Sequence, residues 1–176
     1  MGERKSLEEN DWYGHHFRYR LASGFADRGD VVLDAACGIG YGSQFFDGLD
    51  RTYFGVDKYA DEVVCFHGEG RTFFQEDLNV WKPSFDYDVF ISFETIEHVQ
   101  DYSNIIQIAH QAKKWIITSV PVIPTKHINE WHLHDFEPGE LPSYIINDDW
   151  EMYQPVGQPL EFSEIYVFKR KSYDGK

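Results

Sequence analysis

Cysteine is nearly absent from this 176-residue chain. Only Cys37 and Cys65 occur, which excludes a disulfide framework and a cysteine-based zinc site. Long apolar runs are missing too: none approaches the ~20 residues that cross a bilayer. The opening MGERKSLEENDW is charged throughout, unlike a signal peptide. A cytoplasmic location without membrane insertion is therefore expected. Basic residues are scarce, 16 against 30 acids, for a formal charge of −14. Bases so few and so scattered form no stripe for a nucleic-acid backbone, so a small-molecule partner is expected and nucleic acid is not. No internal repeat, low-complexity tract or linker interrupts the chain. Aromatics, by contrast, are plentiful, with 14 Phe, 11 Tyr and 5 Trp. They build a large core from few residues. At this length one domain buries roughly 70% of its unfolded surface and folds without metal or disulfide.

From residue 30 onward, apolar runs alternate with helix-compatible stretches. VVLDAA (31–36), TYFGVD (52–57), RTFFQED (71–77), YDVFISFE (87–94) and KKWIITSV (113–120) read as strands buried on both faces. Segments 59–66 and 98–112 have room for helices. Past Pro124 the composition shifts to Pro, His, Asn and Asp, with a short helix expected around 137–144. EMYQPV (151–156) and EIYVFKR (164–170) predict a closing hairpin. The expected fold is α/β: a Rossmann-like, doubly wound, mostly parallel seven-stranded sheet with a C-terminal antiparallel hairpin. Residues 1–29 form a helical lead-in over the ligand site, and 30–176 form the α/β body of a single domain.

In such a sheet the ligand sits at the carboxyl ends of the strands. There Gly38 and Gly40 let the backbone turn sharply and approach a ligand closely. Asp57 ends the second strand, where a carboxylate accepts hydrogen bonds from two ribose hydroxyls. Asp77 ends the third and suits an adenine amino group, with the Leu78 amide within reach of a ring nitrogen. A dinucleotide fingerprint needs G-x-G-x-x-G, but Ser43 stands at its third glycine and Gly42 is out of register. The pyrophosphate cradle is incomplete. A sulfonium cofactor has no pyrophosphate, and its positive charge suits Asp34.

VVLDAACGIGYGS closely resembles motif I of class I S-adenosylmethionine-dependent methyltransferases, commonly V-L-D-x-x-C-G-x-G. YFGVDKY resembles that family's ribose-binding strand end, FQEDLN its adenine-binding one, and YDVFISFETIEHV its fourth-strand motif in small-molecule members. The resemblance spans about residues 16 to 141. It implies S-adenosylmethionine as cofactor, with Asp34, Gly38 and Gly40 on the methionyl part, Asp57 on the ribose and Asp77 on the adenine. Phe93 would close one side of the pocket, and Lys58, following Asp57, would either help hold the cofactor or be solvated. Arg18 and Tyr19 in HHFRYRLAS resemble a lead-in that folds over the cofactor in some members. There Arg18 would pair with the methionine carboxylate, or else sit exposed on a helix.

Methyl transfer rests largely on alignment, with a base needed only when the acceptor must lose a proton. The informative cluster is Glu94, Glu97 and His98 in FETIEHV. If these residues open a helix, positions i, i+3 and i+4 share one face. Two carboxylates and an imidazole suit Mg²⁺ or another divalent metal. A similar E-x-x-E-H segment with a later histidine binds metal in ubiquinone-biosynthesis O-methyltransferases and small-RNA 2′-O-methyltransferases. By that resemblance His132 is the fourth ligand, with His134 second. Three readings stay open: a metal on Glu94, Glu97, His98 and His132; His98 as base, with Glu94 beside it; or structural roles. His15, His16 and His127 are weaker candidates for the acceptor pocket, and Trp131 and Trp150 for its wall. Cys37 is expected to pack under the glycine turn. The leading function is O-methylation of a small molecule or small conjugate, by a monomer or homodimer. A cofactor-binding partner subunit without catalysis and a nicotinamide-dependent oxidoreductase are the alternatives.

Overall fold

The computed structural model describes residues 12–59, 68–157 and 162–175. Helix α1 (Trp12–Ser23) precedes β1 (Val31–Ala35), and a 3-10 stretch, Tyr41–Phe46, leads to β2 (Thr52–Asp57). β3 (Arg71–Gln75) and β4 (Val89–Phe93) follow, then α2 (Tyr102–Ala109), β5 (Trp115–Pro121) and α3 (Pro142–Ile145). β6 (Trp150–Gly157) and β7 (Ser163–Arg170) close the fold. The sheet runs β3-β2-β1-β4-β5-β7-β6. β1 to β5 pair in parallel, and β7 is antiparallel to both β5 and β6. This is the doubly wound, mostly parallel seven-stranded sheet with its antiparallel hairpin. The expected helix over 59–66 lies largely outside the described residues, as do Cys65 and residues 1–11 of the lead-in.

Alternation along each strand divides the core between two layers. Val32, Val89, Ile91, Trp115 and Ile117 face one way, toward Tyr19 and Ala22 of α1. Leu33, Phe90, Ile116 and Phe168 face the other, toward α2 and α3. Two expected boundaries shift for local reasons. β3 stops at Gln75 because Asp77 starts a turn, its carbonyl accepting from the Val80 and Trp81 amides. The helix expected from residue 98 begins instead at Tyr102, because Asp101 caps it by accepting from the Ser103 amide at 2.9 Å.

Tyr19 ties α1 to the sheet. Its ring stacks on Phe45 and meets Tyr41 and Phe93 edge-on, while its hydroxyl donates to Asp34 Oδ2 at 2.9 Å. The Tyr53 hydroxyl donates to the same oxygen. Gly42 is a glycine because of Tyr19: a Cβ there would run into the ring. Gly42→Ala should therefore destabilise the fold by about 1–3 kcal/mol, as overpacking does, read from urea denaturation midpoints. Asp34 generates a second expectation. Burial pushes its carboxyl up to about 7, against the two phenols, which act to lower it. A raised folded-state value favours the protonated acid, so this contribution is full below the unfolded pKa and is lost as pH rises through about 7. Between pH 5 and pH 8 the midpoint of the native protein should fall more than that of Asp34→Asn. Equal shifts would remove Asp34 as the cause.

Candidate active site

A cleft of about 710 Å³ opens along the carboxyl ends of the strands. Its first half is built by β1 to β3. The loop after β1 takes left-handed backbone at Ala36, Gly38 and Gly40, and the Ala36 and Cys37 amides donate to the Val56 carbonyl. Gly38 borders the cleft with open space where a Cβ would stand. Cys37 is buried beneath this turn, against Gly55. Asp57 organises the loop: one carboxylate oxygen accepts from the Gly38 amide at 3.0 Å and the other from the Tyr59 amide at 2.9 Å. A carboxylate offers about four acceptor positions, so it can serve the backbone and a ligand hydroxyl together.

Asp77 and Leu78 border the same end. Lys58 donates to Asp77 at 2.9 Å and Asn79 caps it, and the lysine, first among these, draws the Asp77 carboxyl down to about 2. Lys58 is exposed, and its ammonium reaches Asp77 rather than Asp57. The Leu78 carbonyl is held by Asn104 at 2.8 Å. Asp34 and Gly40, expected on the cofactor, do not border the cleft. Asp34 sits one layer down, under the two tyrosines, and Gly40 turns the chain into a 3-10 stretch. Sequence reasoning missed Tyr53, since nothing in TYFGVD distinguishes a phenol that packs from one that caps a buried acid.

The floor between the two halves is β4. Phe93 forms one wall, and Arg18 from α1 is 2% exposed beside it, so the exposed-arginine alternative fails. Glu94 departs from its expected place. No α-helix opens at residue 94; Glu94 takes a left-handed φ of 49° and is followed by a 3-10 turn, Ile96–His98. The i, i+3, i+4 argument therefore does not apply. The Glu94 carboxylate accepts from Ser119 and Ser163 hydroxyls, each at 2.6 Å, and lies 3.4 Å from the Arg18 guanidinium. Ser119 did leave a signal, being a hydroxyl inside an otherwise buried strand that must find a partner. Ser163 left none.

Glu97, His98 and His132 do come together. One ligand atom from each lies within 4.8 Å of the others, and Glu94 is outside the group. Glu97 is buried, and its backbone carbonyl accepts from the Leu133 and His134 amides, which draws residues 131–134 across the cleft. His98 Nδ1 is 3.1 Å from the Trp131 carbonyl. As donor there, it leaves Nε2 as the acceptor nitrogen of the ring, facing Glu97 Oε1 at 3.9 Å. His132 Nδ1 lies 2.5 Å from the Thr125 hydroxyl, and its ring meets His98 edge-on at 4.5 Å. His134 turns away to the Val99 carbonyl at 2.8 Å, which leaves His132 as the later histidine beside Glu97 and His98. His15 and Trp131 border the cleft. His16 packs between Tyr41 and Phe45, His127 is exposed, and Trp150 is core. Among the described residues, no helix is long and apolar enough to cross a membrane.

Known proteins share this architecture. The Methyltransferase domain family matches residues 13–152. A protein of Mycolicibacterium smegmatis, described as a probable S-adenosylmethionine-dependent methyltransferase, is 32% identical over 167 residues. That match takes in 85% of this chain, which spans 63% of the relative's length. Magnesium protoporphyrin IX methyltransferase from Synechocystis, solved with S-adenosylhomocysteine, superposes with a TM-score of 0.72 at 16% identity, covering 97% of this chain and 90% of that one. A Burkholderia thailandensis 1,6-didemethyltoxoflavin-N1-methyltransferase does so with 0.74 at 16%, covering 91% and 79%. The chain belongs to the methyltransferase domain family.

Proposed function

We propose that this chain is an S-adenosylmethionine-dependent methyltransferase that methylates a hydroxyl of a small molecule or small conjugate. The observation that carries this reading is the alignment of Gly38, Asp57 and Asp77 along one cleft in a chain of this family. Asp57 takes the ribose hydroxyls, and Leu78 and Asp77 take the adenine. The amino-acid tail lies over Gly38, with Arg18 supplying charge for its carboxylate and Phe93 closing the side. α1 covers the tail, held by Tyr19. Asp34, one layer below the cleft, serves the site by anchoring Tyr19 and Tyr53. Two structural relatives are named for small-molecule acceptors, and the acidity of the chain agrees with such an acceptor.

The donor set of Glu97, His98 and His132 fits a divalent cation, with one carboxylate and two imidazoles whose far nitrogens are engaged. When bound, Mg²⁺ or a transition ion would lower the pKa of an acceptor hydroxyl. With a cation bound, these three residues would orient that hydroxyl toward the methyl group; in a metal-free site, Nε2 of His98 is the nitrogen placed to accept its proton. Glu94 holds Arg18 rather than the metal.

Calorimetric titration tests the cofactor. S-adenosylmethionine and S-adenosylhomocysteine should bind and NAD should not; NAD binding alone sinks the reading. Asp57→Asn should weaken S-adenosylhomocysteine roughly tenfold or more, the scale of a hydrogen bond to a charged group. For the metal, Mn²⁺ should bind the native chain and Glu94→Gln, but not His98→Ala or His132→Ala. If turnover survives both chelation and His98→Ala, this cluster has no part in the chemistry.

A further inference from the structure

The second half of the cleft differs in kind from the first. It is built by the segment after β5 and by the start of β7, and it carries large apolar side chains turned outward. Ile128 is 72% exposed, Phe162 70% and Trp131 41%, and all three border the cleft beside Ile123. Single exposed apolar residues need no explanation, but a group of them rimming one cavity marks a binding surface. The rim is anchored: the Val122 amide donates to the Phe162 carbonyl at 2.8 Å, and the Trp131 carbonyl meets His98.

Charge narrows the choice of ligand. Among the described residues, the only Lys or Arg side chains bordering the cleft are Arg18 and Lys58. Arg18 is paired with Glu94 and Lys58 with Asp77. Ile123, Ile128, Trp131 and Phe162 themselves bring no positive charge for a phosphate or carboxylate, the two cations of the cleft are each paired with an acid, and a chain of formal charge −14 repels an anion.

We propose that the acceptor has an uncharged apolar body, which rests on Ile123, Ile128, Trp131 and Phe162 and presents its hydroxyl to Glu97, His98 and His132. This rests on the methyltransferase reading above and names the class of acceptor for the same cleft. The rim residues supply contact area in place of ionic recognition, so affinity comes from burial of the acceptor body.

The test titrates 4-alkylphenols of rising chain length, and 4-hydroxybenzoate, into the free protein and into its S-adenosylhomocysteine complex. Affinity should rise roughly twofold per methylene, about half of what full burial gives, and 4-hydroxybenzoate should bind more weakly than the butyl and octyl members. Phe162→Ser and Ile128→Ser remove exposed side chains, so they should keep the native melting temperature while flattening the dependence on chain length. A flat dependence in the native protein overturns the proposal. So does a dependence that persists unchanged in both variants, or 4-hydroxybenzoate binding as tightly as the octyl phenol. Failure of S-adenosylhomocysteine to bind would sink the methyltransferase reading, while the alkylphenol series on the free protein would still decide the rim.

Discussion

The site is organised around two backbone amides that donate to one carboxylate. Asp57 at the end of β2 accepts from Gly38 and Tyr59, which fixes the glycine loop of β1 against the neighbouring strand. Ala36 and Cys37 reinforce the same junction through the Val56 carbonyl. A loop with three left-handed residues would otherwise have many conformations to lose on folding. Pinned in this way, it presents Gly38 to the cleft and sends the chain into the 3-10 stretch that receives α1. The parallel register of β1 with β2 and β4 carries that geometry across the sheet floor to Glu94.

Three acids on this floor are buried or nearly so, and each is accommodated differently. Asp34 is capped by two phenols and drawn toward its neutral form. Glu94 accepts two serine hydroxyls and faces a buried arginine. Glu97 lies with two imidazoles. Burying a carboxylate without such partners is costly. A protein with a large acidic excess has no general reason to bury acids, so Glu94 and Glu97, which border the cleft, and Asp34 one layer beneath it report on the interior rather than on the surface. Glu94 also unites α1, β5 and β7 at one point, and its left-handed backbone is the local cost of that junction.

The cleft is divided by the sheet order. β1 to β3 bring glycine and strand-end acids to one end, a polar environment suited to a nucleoside. β4, β5 and β7 bring imidazoles and an apolar rim to the other. The division follows from the reversal of strand order between β1 and β4, where the chain crosses from one half of the sheet to the other.

Much of this is legible in the order of residues alone. Continuous apolar runs, most of them ending in acids, locate the parallel strands, because strands buried on both faces have no other composition open to them; β3 departs from this, since as the edge strand it is only partly buried. Gly38, Asp57 and Asp77 are legible for a related reason: a place at a strand end is a one-dimensional fact. Contacts between distant segments are not. That Glu94 belongs with Ser119, Ser163 and Arg18, that Asp34 lies beneath Tyr19 and Tyr53, and that Trp150 is core all depend on how strands far apart in the chain pack. A helical spacing rule applied to residues 94–98 fails because the backbone at Glu94 is left-handed, a conformation no pattern in FETIEHV announces. Local chemistry and periodicity thus suffice for the succession of strands, the glycine turn and the acids that follow the strands. Which acid faces which partner is settled by packing; the family resemblance already ranks His132 before His134, and packing supplies the reason, turning His134 away to the Val99 carbonyl. The meeting of Glu97 with His132 is made where the Glu97 carbonyl holds a segment more than 30 residues further along the chain, and no local rule reaches that far.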